Sequence, residues 1–195
     1  MGADNQQERL VRVGWVVGFV EGEGCSSIGF VKQPDRGIRR GYKTGYQVSH
    51  EFAVTQGARS IKALATLLEF FGVGQILVNK RHDNHKEDLF RYVVRRRNDL
   101  LKIIIPFFKH YPMRAAKQGD FENFARCVEM IEREEHKTRE GLIRIAEITQ
   151  SMNRCKSRQE LIRILRDYTP DISHLRDEDI VPSAWRHAEQ ANPAI

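Results

Sequence analysis

Two glutamates separated by a single glycine, Glu21 and Glu23, are the residues in this sequence best suited to chemistry. Carboxylate oxygens are ligands that Mg²⁺ prefers, so a pair of acidic side chains at one place could hold such an ion. The same spacing is also typical of the solvated end of a helix, and the pattern alone therefore does not assign a function. Its interpretation depends on the elements that surround it.

Histidines and cysteines give weaker signals. The segment from His82 to His85 could suggest a metal clip or a histidine-based nuclease, but its position favours a hairpin turn, and no further Cys or His completes a site. The cysteines are isolated from one another: Cys25, Cys127 and Cys155. Without a C-x-x-C pair they argue against a disulfide framework or a zinc ribbon. We therefore expect a reducing intracellular compartment, such as the cytoplasm, the nucleoid or the interior of an organelle.

Charge is distributed unevenly along the chain. Its 195 residues carry 32 Lys and Arg against 26 Asp and Glu, a formal net charge of +6. Residues 167–195 hold six acids and two arginines, a net −4, which leaves +10 on residues 1–166. This predicts a basic domain, residues 1–166, with a polyanionic partner such as nucleic acid, and an acidic tail, residues 167–195, that is partly irregular. No apolar stretch approaches the roughly 20 residues that span a bilayer, so no membrane partner is expected.

The segment before Glu21 gives conflicting local signals. Residues 14–20 are rich in β-branched side chains, which is typical of a buried strand. Gly14, Gly18 and Gly22, however, recur every four residues and would form one smooth stripe on a helix, where another backbone could approach closely. Local pattern leaves helix and strand open here.

The remaining periodicity predicts a mixed fold. Alternation of apolar and polar residues marks four strands: residues 27–33, 47–54, 75–81 and 89–95. Helical periodicity marks residues 60–71 with Gly72 after them, 98–108 with Asn98 as N-cap and Pro106 inside, 120–131 capped by Asp120, 138–152, and a last helix from the Ser157 capping box. Two antiparallel pairs of strands with helices on one face make an α+β fold whose other face is open.

Three segments carry a resemblance to a known family. Trp15 to Gly24, WVVGFVEGEG, resembles the LAGLIDADG motif of homing endonucleases, in which this segment is a helix. Phe52 to Gln56 resembles the strand end that carries a polar active-site residue, and Tyr111 to Gln118 resembles the segment that delivers a lysine. The resemblance runs from Leu10 to about Asn153. It implies an αββαββα fold with a four-stranded antiparallel saddle sheet and extra C-terminal helices.

The resemblance also implies roles in catalysis. Glu23 matches the metal-binding acid, the Gly22 carbonyl a second ligand, and Mg²⁺ the cofactor, with Mn²⁺ as a substitute. Gln56 matches the residue that orients the attacking water, and Lys117 the cation that stabilises the transition state. Glu21 is expected to shape the helix end or to support the metal ligands. The family often has Asp where this chain has Glu, which is longer by one methylene, so we expect a shifted metal position with acidic ligation preserved.

Only one copy of the motif is present. In this family, chains with a single motif work as homodimers, so the resemblance implies a homodimer here. The implied subunit interface is the face of the first helix that carries Gly14, Val17 and Gly18. DNA contacts are expected from the open sheet face, from the first loop and from Arg59. The outward positions are Ser27, Gly29, Val31 and Gln33, then Gln47, Ser49, Glu51 and Ala53, then Gln75, Leu77, Asn79 and Arg81, and finally Leu89, Arg91 and Val93. The basic residues expected to hold phosphates are Lys32, Arg36, Arg39, Arg40 and Lys43.

The function that the resemblance implies is a homing endonuclease of the intron-encoded type. It would make a Mg²⁺-dependent double-strand break by phosphodiester hydrolysis at a long pseudo-palindromic site in double-stranded DNA. Two alternatives use the same scaffold. One is a maturase that binds intron RNA and helps it splice. The other is a DNA-binding regulator without cleavage, against which the intact acidic motif argues.

Overall fold

The structure, a computed structural model, describes residues 3–33, 44–79, 88–153 and 157–167. The chain divides into two compact units, Met1–Leu165 and Arg166–Ile195. All catalytic candidates belong to the first unit. Residues from 168 onward lie outside the described part, so the irregular structure expected of the acidic tail stays a prediction.

The order of elements confirms the predicted α+β fold. The helical segments are α1 (Ala3–Glu23), α2 (Ile61–Phe71), α3 (Arg97–Asp99), α4 (Ile105–His110), α5 (Lys117–Glu132), α6 (Arg139–Gln150) and α7 (Gln159–Asp167). The strands are β1 (Gly24–Lys32), β2 (Tyr46–Gly57), β3 (Gln75–Asn79) and β4 (Leu89–Val94). Helix, two strands, helix, two strands and further helices follow one another as predicted.

The segment on which local signals disagreed is helical. Val13, Val16 and Val20 are all buried, and their spacing of three and four residues places them on one side of α1. Burial of this side against the core outweighs the weak helix preference of β-branched residues. The adjoining side of the helix stays exposed.

The four strands form one antiparallel sheet in the order β1-β2-β4-β3. Val54 pairs with Gly24 on one side and Tyr92 on the other, and Ile76 also pairs with Tyr92. Paired residues share a face of the sheet, and the face that carries these side chains packs into the hydrophobic core with the helices. The opposite face carries the outward positions that the alternation predicted.

Aromatic side chains fill the layer between the sheet and the helices. Phe52 packs against Phe108 with ring centroids 5.8 Å apart and against Phe121 at 6.4 Å. The Tyr92 ring is fully buried, and its hydroxyl donates to the Val73 carbonyl at 2.8 Å. The buried tyrosine thus has a hydrogen-bond partner, which ties the middle of β4 to the segment between α2 and β3.

The helix expected from Asn98 differs from the prediction. Helical structure begins at Arg97 without a side-chain cap, so Asn98 is not the N-cap. A π-helical stretch, Leu100–Ile104, precedes Pro106, and the helix continues to His110. Proline lacks an N–H and crowds the carbonyl four residues earlier. The wider π-turn before it moves that carbonyl, so the helix passes through the proline.

Three other helix starts are displaced from their predicted residues. Helix α5 begins at Lys117, which places Asp120 in its first turn instead of at the cap. Thr138 lies just outside α6 and caps it by accepting from the Gly141 N–H at 3.1 Å. Ser157 accepts from the Gln159 N–H at 3.3 Å. Glu160, the glutamate of the predicted capping box, instead accepts from Arg163. Cap chemistry therefore located the helices but misplaced their first residues.

Candidate active site and nucleic-acid interface

The acidic motif ends α1 at the point where the chain turns into the sheet. Glu23 is the last residue of the helix and is exposed, and β1 begins with Gly24. A Cβ atom at Gly24 would lie 2.5 Å from the Val20 carbonyl oxygen and 2.8 Å from its Cγ1. Only glycine fits at this junction, and it holds Glu23 at the rim of the sheet.

Lys117 lies against the end of the same helix. Its Nζ donates to the Gly22 carbonyl oxygen at 2.7 Å. The lysine is the first residue of α5, about 95 positions from Gly22 in sequence, yet it contacts the residue directly before Glu23. The structure thus brings together the acid and the cation that the sequence singled out. The Gly22 carbonyl, predicted as a metal ligand, here accepts from the ammonium.

Glu21 binds the segment that leads to Lys117. Its Oε1 accepts from the Arg114 N–H at 2.7 Å and also from the Ala115 N–H. These two backbone donors belong to the turn before α5. Glu21 therefore fixes the chain that carries the lysine, a more specific role than the one expected from the sequence.

Gln56 and Arg59 lie at the same end of the sheet. The β1–β2 ladder ends at the pair Gly24 and Val54, so the next residues of β2 run beside the end of α1. Gln56 is half-buried two positions beyond this pair, and Arg59 is exposed in the short 3₁₀ turn Ala58–Ser60 that follows β2. The register of the strands thus places Gln56 near the acidic motif, and Arg59 follows three residues later in the turn.

The start of β1 is tied to the C-terminal helices by a residue that sequence reasoning missed. Asn153 donates from its side chain to the Ser26 carbonyl at 3.0 Å and lies 3.9 Å from the Cys25 sulfur. Its φ of 53° is in the left-handed region, which asparagine tolerates. Burial raises the pKa of the Cys25 thiol, and the nearby Lys117 ammonium opposes that shift.

Metal-binding capacity at the site is limited to few groups per chain. The Glu23 carboxylate and the carbonyls of the last turn of α1 are oxygen donors of the type that Mg²⁺ selects, at the negative end of the helix dipole. Within the described ranges, no cluster of three or more His, Cys, Asp and Glu side chains could hold a metal ion. The donor set fits such an ion only in part, and further ligands must come from elsewhere.

The open face of the sheet carries the predicted DNA-contacting positions that the structure describes. Register places on this face Ser27, Gly29, Val31, Gln47, Ser49, Glu51, Gln75, Leu77, Asn79, Leu89 and Arg91. Polar side chains dominate the set, as direct reading of bases requires. Ala53 and Val93 share this face but are buried. The remaining sequence candidates on or near the sheet lie at its edges or outside the described residues.

Gln33, which follows β1, donates from its side chain to Gln47 at 2.9 Å. Lys32 is exposed at the end of β1, and its position in the register places it on the opposite face from Val31. Five basic candidates and the histidine turn fall outside the described residues: Arg36, Arg39, Arg40, Lys43, Arg81 and His82 to His85. Their predicted contacts stay predictions.

A carboxylate on the open face binds two arginines. Glu51 accepts through Oε1 from Nη2 of Arg91, and through Oε2 from Arg95 at 2.7 Å from Nε and 2.6 Å from Nη2. Arg95 was not among the predicted DNA contacts. Two signals in the sequence point to it: it stands four residues after Arg91, and it opposes Glu51 if the β2–β4 ladder is extended by one pair.

One side of α1 is exposed, and none of the described residues packs against its glycines. A Cβ atom added at Gly14, Gly18 or Gly22 would meet no atom within 4 Å. Val11 and Trp15 on the same side are 66% and 40% exposed. Val17, also predicted at a subunit interface, is half-buried and packs against the core. No helix of the described part is long and apolar enough to cross a membrane.

Comparisons with known proteins agree with this arrangement. A sequence model of the family described as LAGLIDADG endonuclease matches residues 16–128. A probable intron-encoded endonuclease 2 of Neurospora crassa is 30% identical over 71% of the chain, and the match spans only 26% of that protein. The DNA endonuclease I-CeuI of Chlamydomonas moewusii is 28% identical over 66% of the chain and 56% of its own length.

Solved structures give the same result. The homing endonuclease I-TnaI is 41% identical, with a TM-score of 0.65 over 80% of this chain and 96% of that one. I-SmaMI, bound to an uncleaved DNA target in the presence of calcium ions, is 33% identical with a TM-score of 0.65, over 80% of this chain and 49% of that one. Since the family model covers more than half of the sequence and the fold agrees, the chain belongs to the LAGLIDADG endonuclease family.

Proposed function

We propose that this protein is a homing endonuclease that binds double-stranded DNA on its open sheet face and hydrolyses one phosphodiester bond in each strand. The observation that carries the proposal is the meeting of Lys117 with the end of α1, one residue from the exposed Glu23. An acid and a cation at the rim of a polar sheet face are suited to act on a phosphate of DNA lying across that face.

DNA as the substrate is supported by the chemistry of the face. A two-stranded ribbon can enter the major groove, where Arg reads guanine and Gln or Asn reads adenine through paired hydrogen bonds. Arg91, Gln47 and Gln75 occupy such positions. The structures named above include I-SmaMI with its DNA target, and I-LtrWI of the same family is also described as bound to target DNA.

Each of the candidate residues has its own role in the proposed hydrolysis. Bound at the Glu23 carboxylate, a divalent cation such as Mg²⁺, or Mn²⁺ in its place, would supply an activated water and neutralise phosphoryl charge. Glu23 would hold that ion at the rim of the sheet. The Lys117 ammonium stabilises negative charge that develops on the scissile phosphate, and Gln56 orients the attacking water. Glu21 keeps Lys117 in place through the turn at Arg114 and Ala115.

A homodimer would complete the site. One chain offers few ligands at the end of α1, and a second copy related by a two-fold axis would bring a second Glu23 to the same place. The exposed side of α1 suits this contact because its three glycines would let two helix backbones approach closely. Two identical sheet faces would then read a long pseudo-palindromic site.

Replacing Glu23 by Gln tests the catalytic assignment. The target sequence is first selected by binding from a randomised DNA library, and cleavage is then followed with Mg²⁺ on the selected duplex. We expect the wild-type protein to cut both strands and Glu23→Gln to lose cleavage by on the order of a hundredfold or more. DNA binding in the absence of metal should survive, because this variant removes a carboxylate and not a DNA contact.

Glu140→Gln is the matched control, since Glu140 is an exposed glutamate in the first turn of α6. It should cut like the wild-type protein. Cleavage by Glu23→Gln at the wild-type rate would show that the assignment of Glu23 is wrong.

A further inference from the structure

The pair of arginines bound to Glu51 lies on the face proposed to read DNA. Glu51 engages each arginine with a different carboxylate oxygen, Oε1 with Arg91 and Oε2 with Arg95. The side chain of Glu51 is only 18% exposed and that of Arg91 31% exposed. Charged hydrogen bonds in a half-buried setting are stronger than those of exposed ion pairs. Glu51 and Arg91 therefore form a fixed pair, and Arg95, which is 52% exposed, is held to it by two contacts with one carboxylate oxygen.

The path of the Arg91 side chain follows from the strand register. Arg91 pairs with Thr55, and the next pair toward Arg95 on this face is Ala53 with Val93. To reach Glu51, the arginine must extend across that pair. Ala53 and Val93 are 3% and 1% exposed although they lie on the open face, as expected if a side chain covers them. Because the side chains of Ala53 and Val93 are short, the Arg91 side chain can lie flat along the sheet above them.

A carboxylate on a DNA-binding face repels the phosphates of DNA, so its presence there suggests a separate role in binding. Direct contact of Glu51 with a cytosine amino group is one use, but both of its oxygens already accept from arginines. A guanidinium carries five N–H donors, and the contact with Glu51 uses one terminal nitrogen of Arg91. Most of its donors are not needed for this pair and are available for bases.

Position on the sheet places the cluster beside the proposed cleavage site. Cys25, directly after the helix–strand junction, is close enough to Glu51, Arg91 and Lys117 for each to affect its thiol electrostatically. Glu51 and Arg95 also line a cavity of about 710 Å³ that opens between the sheet face and Asn153. The Arg95 side chain and Glu51 thus border space that a base pair near the proposed cleavage site could fill.

We propose that Glu51 is a specificity-determining residue that acts through Arg91 and Arg95. By holding both guanidinium groups in one orientation, it lowers the side-chain entropy that they lose on binding and fixes which bases they accept. The inference rests on the proposed function, since it concerns reading of the same DNA site. It assigns to Glu51 a positioning role instead of a base contact of its own.

Glu51→Gln separates specificity from affinity. The protein is used as the full chain, without divalent metal, to select bound duplexes from a randomised library, and affinities for the selected and a random duplex are then measured. We expect the ratio of these affinities to fall on the order of tenfold, about the value of one well-formed bidentate contact. Affinity for random DNA should stay equal or increase, since a negative charge has been removed from the interface.

Glu129→Gln is the matched control because it removes the same charge from an ion pair with Lys109, 2.8 Å long, on the helical layer. Its specificity ratio should equal that of the wild-type protein. Arg91→Lys gives the second readout: the base positions whose preference weakens in Glu51→Gln should coincide with those that weaken in Arg91→Lys.

Each other outcome contradicts the proposal. An unchanged specificity ratio in Glu51→Gln would show that the arginines need no positioning. A new base preference at a position untouched by Arg91→Lys would show that Glu51 reads a base directly. A wild-type protein that enriches no sequence would contradict the proposed function itself, and this inference with it.

Discussion

Glu21 and Glu23 are separated by one residue, but the two carboxylates have different surroundings. Glu21 accepts from two backbone N–H groups of the turn before α5, whereas Glu23 is exposed at the helix end. A hydrogen bond to a charged group stabilises a fold more than a neutral one does. The first glutamate thus contributes to stability and the second is available for chemistry.

Replacing each glutamate by alanine should separate these contributions. We expect Glu21→Ala to lower the free energy of unfolding by about 2 kcal/mol, because two backbone donors lose their carboxylate. Glu23→Ala should change it by less than about 0.5 kcal/mol, as is usual for an exposed residue. Urea denaturation of the two variants measures both values.

Glu21→Gln provides the control because it keeps an acceptor oxygen where Oε1 lies and removes only the charge. Its loss of stability should be smaller than that of Glu21→Ala. Equal destabilisation by Glu21→Ala and Glu23→Ala would contradict the division of roles between the two residues.

Residue types in the sequence indicated the candidates, but not their partners. Glu23, Gln56 and Lys117 were identified through resemblance to a family, and the structure places them at one end of the sheet. The contact of Glu21 with Arg114 joins residues about 93 positions apart. Contacts of this kind depend on how α5 packs beside α1, and no local pattern encodes that arrangement.

The elements differ in how far local physics predicts them. The alternation of apolar and polar residues predicted which residues lie on each face of the sheet. A shift of one residue in strand register would expose the whole apolar face, so burial of that face determines the register. Helix α1 was ambiguous by local pattern, because Val16, Val17 and Val20 favour strands by propensity. Burial of Val13, Val16 and Val20 at helical spacing decides for the helix. The π-helical stretch before Pro106 could not be predicted from propensity, because it arises from fitting a proline inside a packed helix.

The exposed side of α1 is the element on which proposed assembly depends. No described residue comes within 4 Å of a Cβ atom added at Gly18, so a larger side chain there clashes with none of them. We expect Gly18→Leu to weaken self-association at least about tenfold, because a leucine would hold the two helix backbones apart. Sedimentation over a range of protein concentrations measures this dissociation constant.

Gly119→Leu is the matched control: Gly119 is also an exposed glycine on a helix, α5, with open space around it. It should associate like the wild-type protein. Undiminished association of Gly18→Leu would place the subunit contact elsewhere on the surface. Loss of association together with loss of double-strand cleavage would support a site shared between two copies.

At the scale of the whole molecule, two histidines link stability to pH. His50 on β2 and His136 in the 3₁₀ turn Glu135–Lys137 lie close enough to affect each other. Burial lowers the pKa of both imidazoles, and the Arg97 guanidinium lowers it further. The Nδ1 atoms of both are buried without a hydrogen-bond partner among the described residues. The folded protein therefore disfavours their charged forms.

This arrangement predicts lower stability below about pH 6.5. The unfolded chain takes up protons on these histidines at their ordinary pKa of 6.5, whereas the folded chain does so only at lower pH. Stability is therefore complete above 6.5 and is lost as the pH falls toward the lowered values. The thermal unfolding midpoint should decrease between pH 7.5 and 5.5, measured by circular dichroism.

Charged groups beside the two histidines also affect their titration, and the variant that replaces both histidines leaves these groups in place. Lys137 lowers the pKa of His136, whereas Glu134 raises it. The pKa of Glu134 is itself lowered below 4.5 by Lys137, so its titration falls in a separate, more acidic window. A variant with both His50→Asn and His136→Asn should lose most of the decrease between pH 7.5 and 5.5. If it unfolds with the same pH dependence as the wild-type protein, groups other than these histidines control acid sensitivity.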